Sequence, residues 1–228
     1  SVASIYTYDT VEQVFPKLNR VKEGEAIFTQ PSSPIKCAGA PQKIMWLALN
    51  HWQNAGLYKN DSSSPIKITF AQGMPTMFSV PHYSKVLDEL REERGVTGLF
   101  QHNLVAIEDD AKTAVFQRPN GEQVKKSFDF MHVVPTMSPP DFLKKSSLAN
   151  SGGYAEVDQG TLRHVKYNNV WSLGDSSSLP TSKTAAAITG QSPVLVVNLL
   201  SALENKEPIA TYDGYTSCPL ITLSLIHI

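Results

Sequence analysis

Two periods organise the apolar positions in the first half of the chain. Val11, Val14, Phe15, Leu18 and Val21 follow the 3.6-residue repeat of a helix. Thr10 is its predicted cap and Gly24 its end, with Pro16 inside the pattern as an interruption. Residues 25–29 form a short apolar run, a strand, followed by a Pro/Ser-rich loop over 30–36. Pro41 suits the first position of a second helix, in which Ile44, Met45, Ala48, Leu49 and Trp52 make the buried stripe down to Gly56. A serine-rich turn precedes a second strand at 66–70. The third helix spans 84–94, with Val86, Leu87 and Leu90 facing inward and Gly95 ending it. Strand, helix, strand, helix, strand is the pattern of a parallel α/β unit of the dinucleotide-binding type.

The segments then shorten. Residues 104–107, 113–117 and 123–128 read as β segments, the last two joined by the hairpin turn Pro119-Asn120-Gly121. Residues 130–134 form an apolar strand stopped by Pro135, and three prolines between 135 and 140 predict a stiff crossing between domains. Strands are expected again at 154–157 and 170–173, the second running directly into Gly174-Asp175. A helix begins after Leu179-Pro180-Thr181-Ser182-Lys183 and stops before Pro208. The expected division is a connecting helix over 1–24, a second dinucleotide-type domain over 25–134, and the returning part of a cofactor domain over 135–222.

Composition narrows the function classes. A chain of 228 residues suits one large domain or two small ones and buries roughly 70% of its unfolded surface. With 41% hydrophobic and 18% charged residues and a formal net charge of −1, nothing points to nucleic acid or an anionic membrane as partner. The longest apolar run, 194–200, falls well short of the ~20 residues of a membrane span. Ser1 opens a polar segment without a signal sequence, so the chain is expected to begin inside a longer protein. The closing Leu223-Ser224-Leu225-Ile226-His227-Ile228 matches what the end of a common transposase sequencing adapter would encode, and is expected to be a non-native tail over 223–228.

There are two cysteines, Cys37 and Cys218, too few for a disulfide framework. Cys37 follows the first strand of the dinucleotide-type unit, in the loop that normally carries Gly-x-Gly-x-x-Gly. Here the loop is Pro31-Ser32-Ser33-Pro34-Ile35-Lys36-Cys37, which cannot cradle a pyrophosphate. A thiol therefore stands where a nicotinamide cofactor would otherwise dock, and Lys36 and the following helix would favour its thiolate. The competing reading is a small buried hydrophobe. Gly174-Asp175, at the end of a strand, resembles the position where flavoproteins of the two-dinucleotide-domain class place an acid that bonds the ribityl hydroxyls of FAD, with Thr181-Ser182-Lys183-Thr184-Ala185 then supplying amides and a lysine charge; a plain turn is the alternative. His132 reads as a core histidine. His51, His82, His102 and His164 lack ligand spacing with the cysteines, so no metal is expected. Met74, Met77, Phe78 and Tyr83 could line a quinone pocket or belong to the core.

Four blocks in order carry a resemblance: Lys36-Cys37-Ala38-Gly39-Ala40-Pro41-Gln42-Lys43-Ile44-Met45; Met137-Ser138-Pro139-Pro140-Asp141; residues 179–187; and Tyr212-Asp213-Gly214-Tyr215-Thr216-Ser217-Cys218-Pro219-Leu220. They closely resemble the mitochondrial-type sulfide:quinone oxidoreductases over residues 1–222. The resemblance implies an α/β fold of three-layer, Rossmann-like domains of the FAD/NAD(P)-linked disulfide reductase type, incomplete here. It implies that Cys37 lies next to the flavin of FAD and that Cys218 accepts sulfur, with Gly174, Asp175, Lys183, Thr184 and Ala185 at flavin-contacting positions. It further implies hydrogen sulfide as substrate, ubiquinone as electron acceptor, and sulfite or glutathione as sulfur acceptor, at the surface of the mitochondrial inner membrane.

The same resemblance exposes departures. The glycine-rich loop for the ADP part of FAD and the amphipathic C-terminal elements are missing, so the chain alone is expected to bind FAD weakly and not to turn over. An alternative of the same architecture is a type II NADH:quinone oxidoreductase or disulfide reductase, against which the absent glycine fingerprint argues. A non-enzyme alternative is a binding module with two inert buried thiols.

Overall fold

A computed structural model describes residues 1–223; Ser224 to Ile228, most of the expected tail, lie outside the described residues. The chain divides into two compact units. One comprises 1–33, 39–136 and the segment from Leu220, and the other comprises 34–38 and 137–219.

The first unit is built on strand β1 (Val2–Ala3), helix α1 (Tyr8–Arg20), β2 (Gly24–Gln30), α2 (Ala40–Asn54), β3 (Ile66–Gln72), α3 (Pro81–Glu93) and β4 (Thr97–Phe100). Strands β5 (Asn103–Ile107), β6 (Thr113–Gln117), β7 (Gln123–Ser127) and β8 (Phe130–His132) follow. The main sheet is parallel throughout, in the order β1-β8-β2-β3-β4. Its central strands are apolar on both faces, as strands covered on two sides must be. Alternation sorts their side chains: Ala26 and Phe28 enter the core beneath the three helices, with Trp46, Leu49, Trp52 and Leu87, while Ile27 enters the opposite core. That opposite face is covered by the antiparallel sheet β5-β6-β7 through Ala114 and Phe116. Three layers result: helices, parallel sheet, antiparallel sheet.

Three local expectations need correction. Helix α1 begins after Thr7, which makes no side-chain capping bond, and Thr10 lies inside the helix with its hydroxyl donating to the Ser4 carbonyl at 2.7 Å. Val11, Phe15 and Val86 are exposed, because α1 and α3 each rest on the sheet along a stripe narrower than the apolar pattern. Met77 is core, whereas Met74 and Tyr83 are exposed. Gly95 ends α3 as predicted, with φ of 70°.

The second unit holds α4 (Asp141–Lys144), a 3-10 turn at Gly174–Ser176 and α5 (Ala185–Leu203). The strands predicted at 154–157 and 170–173 are not ladders. They meet neighbours through single bridges, Ala155 with Ala149 and Ser177, Val157 with His164, and Trp171 with Arg163. Their backbone N–H groups go instead to scattered partners: Asn150 Oδ1 accepts that of Tyr154, the Ser176 carbonyl that of Ala155, the Leu148 carbonyl that of Glu156, the Ser178 hydroxyl that of Val157 and the Leu162 carbonyl that of Ser172. Helix α5 is 19 residues long with a mean hydropathy of 1.5 over its most apolar stretch, which by length and composition would pass for a membrane span. It buries two polar members, Gln191 and Asn198, while Val196, Leu200 and Leu203 are exposed. Asn198 bonds four backbone groups: it donates to the Thr161 and Ala210 carbonyls and accepts from the N–H of Ile209 and Ala210.

Candidate functional site

Both cysteines lie in the second unit, and both are half-buried. Cys37 has φ of 49°, in the left-handed region that a residue bearing a Cβ seldom occupies. Two hydrogen bonds from its backbone hold the short segment: the Cys37 N–H donates to the Lys183 carbonyl at 2.8 Å, and the Lys36 N–H donates to the Met137 thioether Sδ at 3.2 Å. Proline at 219 disfavours helical backbone at Cys218. Two residues earlier, the Thr216 hydroxyl donates to the Ser182 carbonyl at 3.2 Å and lies 3.0 Å from the Thr184 hydroxyl. The segments carrying Cys37 and Cys218, far apart in sequence, are thus both hydrogen-bonded to the three residues 182–184 that lead into α5.

Those three residues are themselves fixed. Thr184 is the cap of α5, its Oγ1 accepting the Ala187 N–H at 3.0 Å. The first-turn amides of Ala185 and Ala186 fall outside the helical hydrogen-bond ladder, so the helix end presents donors and the positive pole of its dipole. Ala185 is exposed there. Lys183 does not extend freely: its Nζ donates to the Ser177 carbonyl at 3.1 Å and sits 4.2 Å from the centre of the Tyr154 ring. Burial pushes the Lys183 ammonium below its ordinary pKa, and Asp175 partly offsets this.

Gly174 opens the 3-10 turn with φ of 68°, and a Cβ there would come within 3.3 Å of Ile188. Its N–H donates to the buried Gln191 Oε1 at 2.7 Å, and its carbonyl accepts the Ser177 hydroxyl at 2.7 Å. Asp175 is therefore presented by a turn held at both ends, half-buried. A narrow cleft runs between Gly174, Leu179, Thr181, Lys183, Ala187 and Gln191. All seven residues proposed from sequence fall within this one unit. Gln191, Ser177, Tyr154 and Thr216 were not anticipated. Gln191 alone left a signal, a glutamine in a mostly apolar helix seven residues after the cap.

Chemically, the set offers a carboxylate able to accept hydroxyl hydrogen bonds, helix-end amides able to meet an electron-rich ring edge, and a nearby cation. This suits the sugar-alcohol chain and ring of a flavin. Among the described residues no three side chains are grouped to hold a metal ion.

No protein-family model matches the chain. The chain is 48% identical over 223 residues to the mitochondrial sulfide:quinone oxidoreductase of Dictyostelium discoideum, covering 97% of this chain and 48% of that protein. It spans about half the length of the curated relatives it matches. Among solved structures, a chain of the mitochondrial ATP synthase tetramer of Tetrahymena thermophila matches with a TM-score of 0.76 at 26% identity, over 90% of this chain and 49% of that one. The sulfide:quinone oxidoreductase of Aquifex aeolicus matches with a TM-score of 0.72 at 15% identity, over 90% and 50%, a likeness of fold.

Proposed function

Since the chain belongs to the sulfide:quinone oxidoreductase family, we propose that its parent protein is a mitochondrial FAD enzyme that oxidises hydrogen sulfide and delivers the electrons to ubiquinone. In the oxidised state Cys37 and Cys218 are bridged through sulfur. Hydrosulfide attacks the Cys218 sulfur and a new S–S bond forms there. The bond toward Cys37 breaks, and Cys37 departs with the electron pair as a thiolate. Cys218 is left as a persulfide, whose outer sulfur passes to a small nucleophile such as sulfite or glutathione.

The protein's own groups bias each of these steps. Pro219 biases the Cys218 backbone away from the helical region. The Lys183 carbonyl and the left-handed turn keep Cys37 in one orientation instead of the many open to a loop cysteine. Gly174, Asp175, Lys183, Thr184 and Ala185 would hold the flavin part of FAD: Asp175 through hydroxyls, the α5 amides through the ring edge, and Lys183 by charge. When bound, FAD supplies the two-electron redox chemistry that no side chain here has. Attachment to the inner-membrane surface belongs to the parent protein, and the 228-residue chain alone is expected neither to retain FAD nor to turn over.

The observation that carries this reading is the hydrogen bonding of both cysteine segments to residues 182–184. In the parent protein, Cys37→Ser and Cys218→Ser should each abolish sulfide-dependent quinone reduction. Turnover at the wild-type rate in either variant would overturn the assignment.

A further inference from the structure

We propose that Thr216 is a positioning residue that latches the Cys218 segment onto the Cys37 anchor, an inference that rests on the pairing of the two cysteines proposed above. Its hydroxyl stands in a chain of three hydrogen bonds with a consistent direction. The Ala187 N–H donates to Thr184 Oγ1, the Thr184 hydroxyl can then donate to Thr216 Oγ1, and the Thr216 hydroxyl donates to the Ser182 carbonyl. Each hydroxyl gives one proton and accepts one, so neither competes with itself. The residue between the two anchored positions, Lys183, accepts the Cys37 N–H. Thr216 therefore ties the run leading to Cys218 to the same stretch of backbone that fixes Cys37.

Upstream, the run is held separately. Tyr212 is buried, its N–H donates to the Gly160 carbonyl at 2.8 Å, and its hydroxyl donates to the Tyr215 carbonyl. Between Tyr212 and Pro219, Thr216 reaches residues 182–184 through two hydrogen bonds. Removing its hydroxyl should leave the unit folded, because Thr184 still caps α5 and Tyr212 still holds the start of the run. What should fall is the effective concentration of one thiol at the other.

The test is thiol–disulfide equilibrium in the 228-residue protein, with glutathione as the redox couple. In the reaction read, Cys37 and Cys218 lose two electrons and two protons and form one S–S bond, while one glutathione disulfide is reduced to two glutathione thiols. The bridged fraction is counted by mass spectrometry across glutathione ratios for wild type, Thr216→Val and Thr216→Ser, with thermal unfolding of each as a folding control. Thr216→Val should form the bridge roughly tenfold less readily, a potential about 30 mV less reducing. Thr216→Ser, which keeps the hydroxyl, should stay close to wild type. A wild type that bridges with Thr216→Val equal to it, or with Thr216→Ser impaired as badly as valine, overturns the latch and leaves the cysteine couple standing. A wild type that never bridges at any ratio overturns the couple, and the latch with it.

Discussion

Mild acid should destabilise the first unit through a single side chain, His132. Its ring is fully buried and stacked on Phe28, with centroids 6.1 Å apart. Its Nε2 accepts the Ile5 N–H at 3.1 Å, which places the ring proton on Nδ1, and among the described residues Nδ1 meets no acceptor. A second proton would have to sit on Nε2, against an N–H that already points at it. Burial pushes the His132 pKa down to about 4 from its ordinary 6.5. Between those two values the unfolded chain binds a proton that the folded chain refuses. Stability is therefore complete above the unfolded value and is lost as pH falls toward the folded one. At about 1.4 kcal/mol per pH unit, moving from about pH 7 to about pH 5 costs about 2 kcal/mol, a sizeable share of the ~5–15 kcal/mol that holds a typical protein folded. Glu25, whose pKa is raised chiefly by burial, works in the opposite direction, since it stabilises as pH falls. Urea unfolding of wild type and His132→Asn across this range separates the two contributions. Asparagine can still accept the Ile5 N–H but does not titrate, so its pH slope should be flatter by about one proton. Equal slopes in the two proteins would refute the neutral buried imidazole.

Two stability predictions concern the second unit. Cys37 bears a Cβ at φ of 49°, a conformation costing about 1–2 kcal/mol that glycine escapes, partly offset by glycine's greater freedom when unfolded. Cys37→Gly should therefore be more stable than Cys37→Ala by about 0.5–1 kcal/mol in denaturant unfolding, although both lack the thiol; the reverse order would mean that the left-handed turn is absent in solution. Asn198→Ala strips partners from four backbone groups at 161, 209 and 210, and should cost about 3 kcal/mol. A loss under about 1 kcal/mol would show that water replaces those bonds.

The parallel core was legible because its strands are apolar on both faces; residues 25–29 and 66–70 could be read without tertiary information. Burial along the helices was less so. Val86 shares a helical face with Leu90 in sequence, but the sheet covers only the strip under Leu87. The start of α1 was misplaced because Thr7 and Thr10 are the same residue type three positions apart; Thr10 falls within the helix and turns its hydroxyl to the Ser4 carbonyl. The segments at 154–157 and 170–173 have strand composition but meet their neighbours only at single bridges. At the site, Cys37, Asp175 and Cys218 stood out by motif. Their tethering to 182–184 could not be seen, because it uses backbone carbonyls and the hydroxyl of an ordinary threonine more than thirty residues along the chain from its partner.

The division of labour between the two thiols is the centre of the account. It is tested most directly by treating the oxidised parent protein with sulfide in the absence of a sulfur acceptor, trapping with an alkylating reagent, and mapping the peptides by mass spectrometry. The added sulfur should be found on the Cys218 peptide, with Cys37 carrying the reagent alone. Sulfur on Cys37 instead, or on neither cysteine, would contradict it.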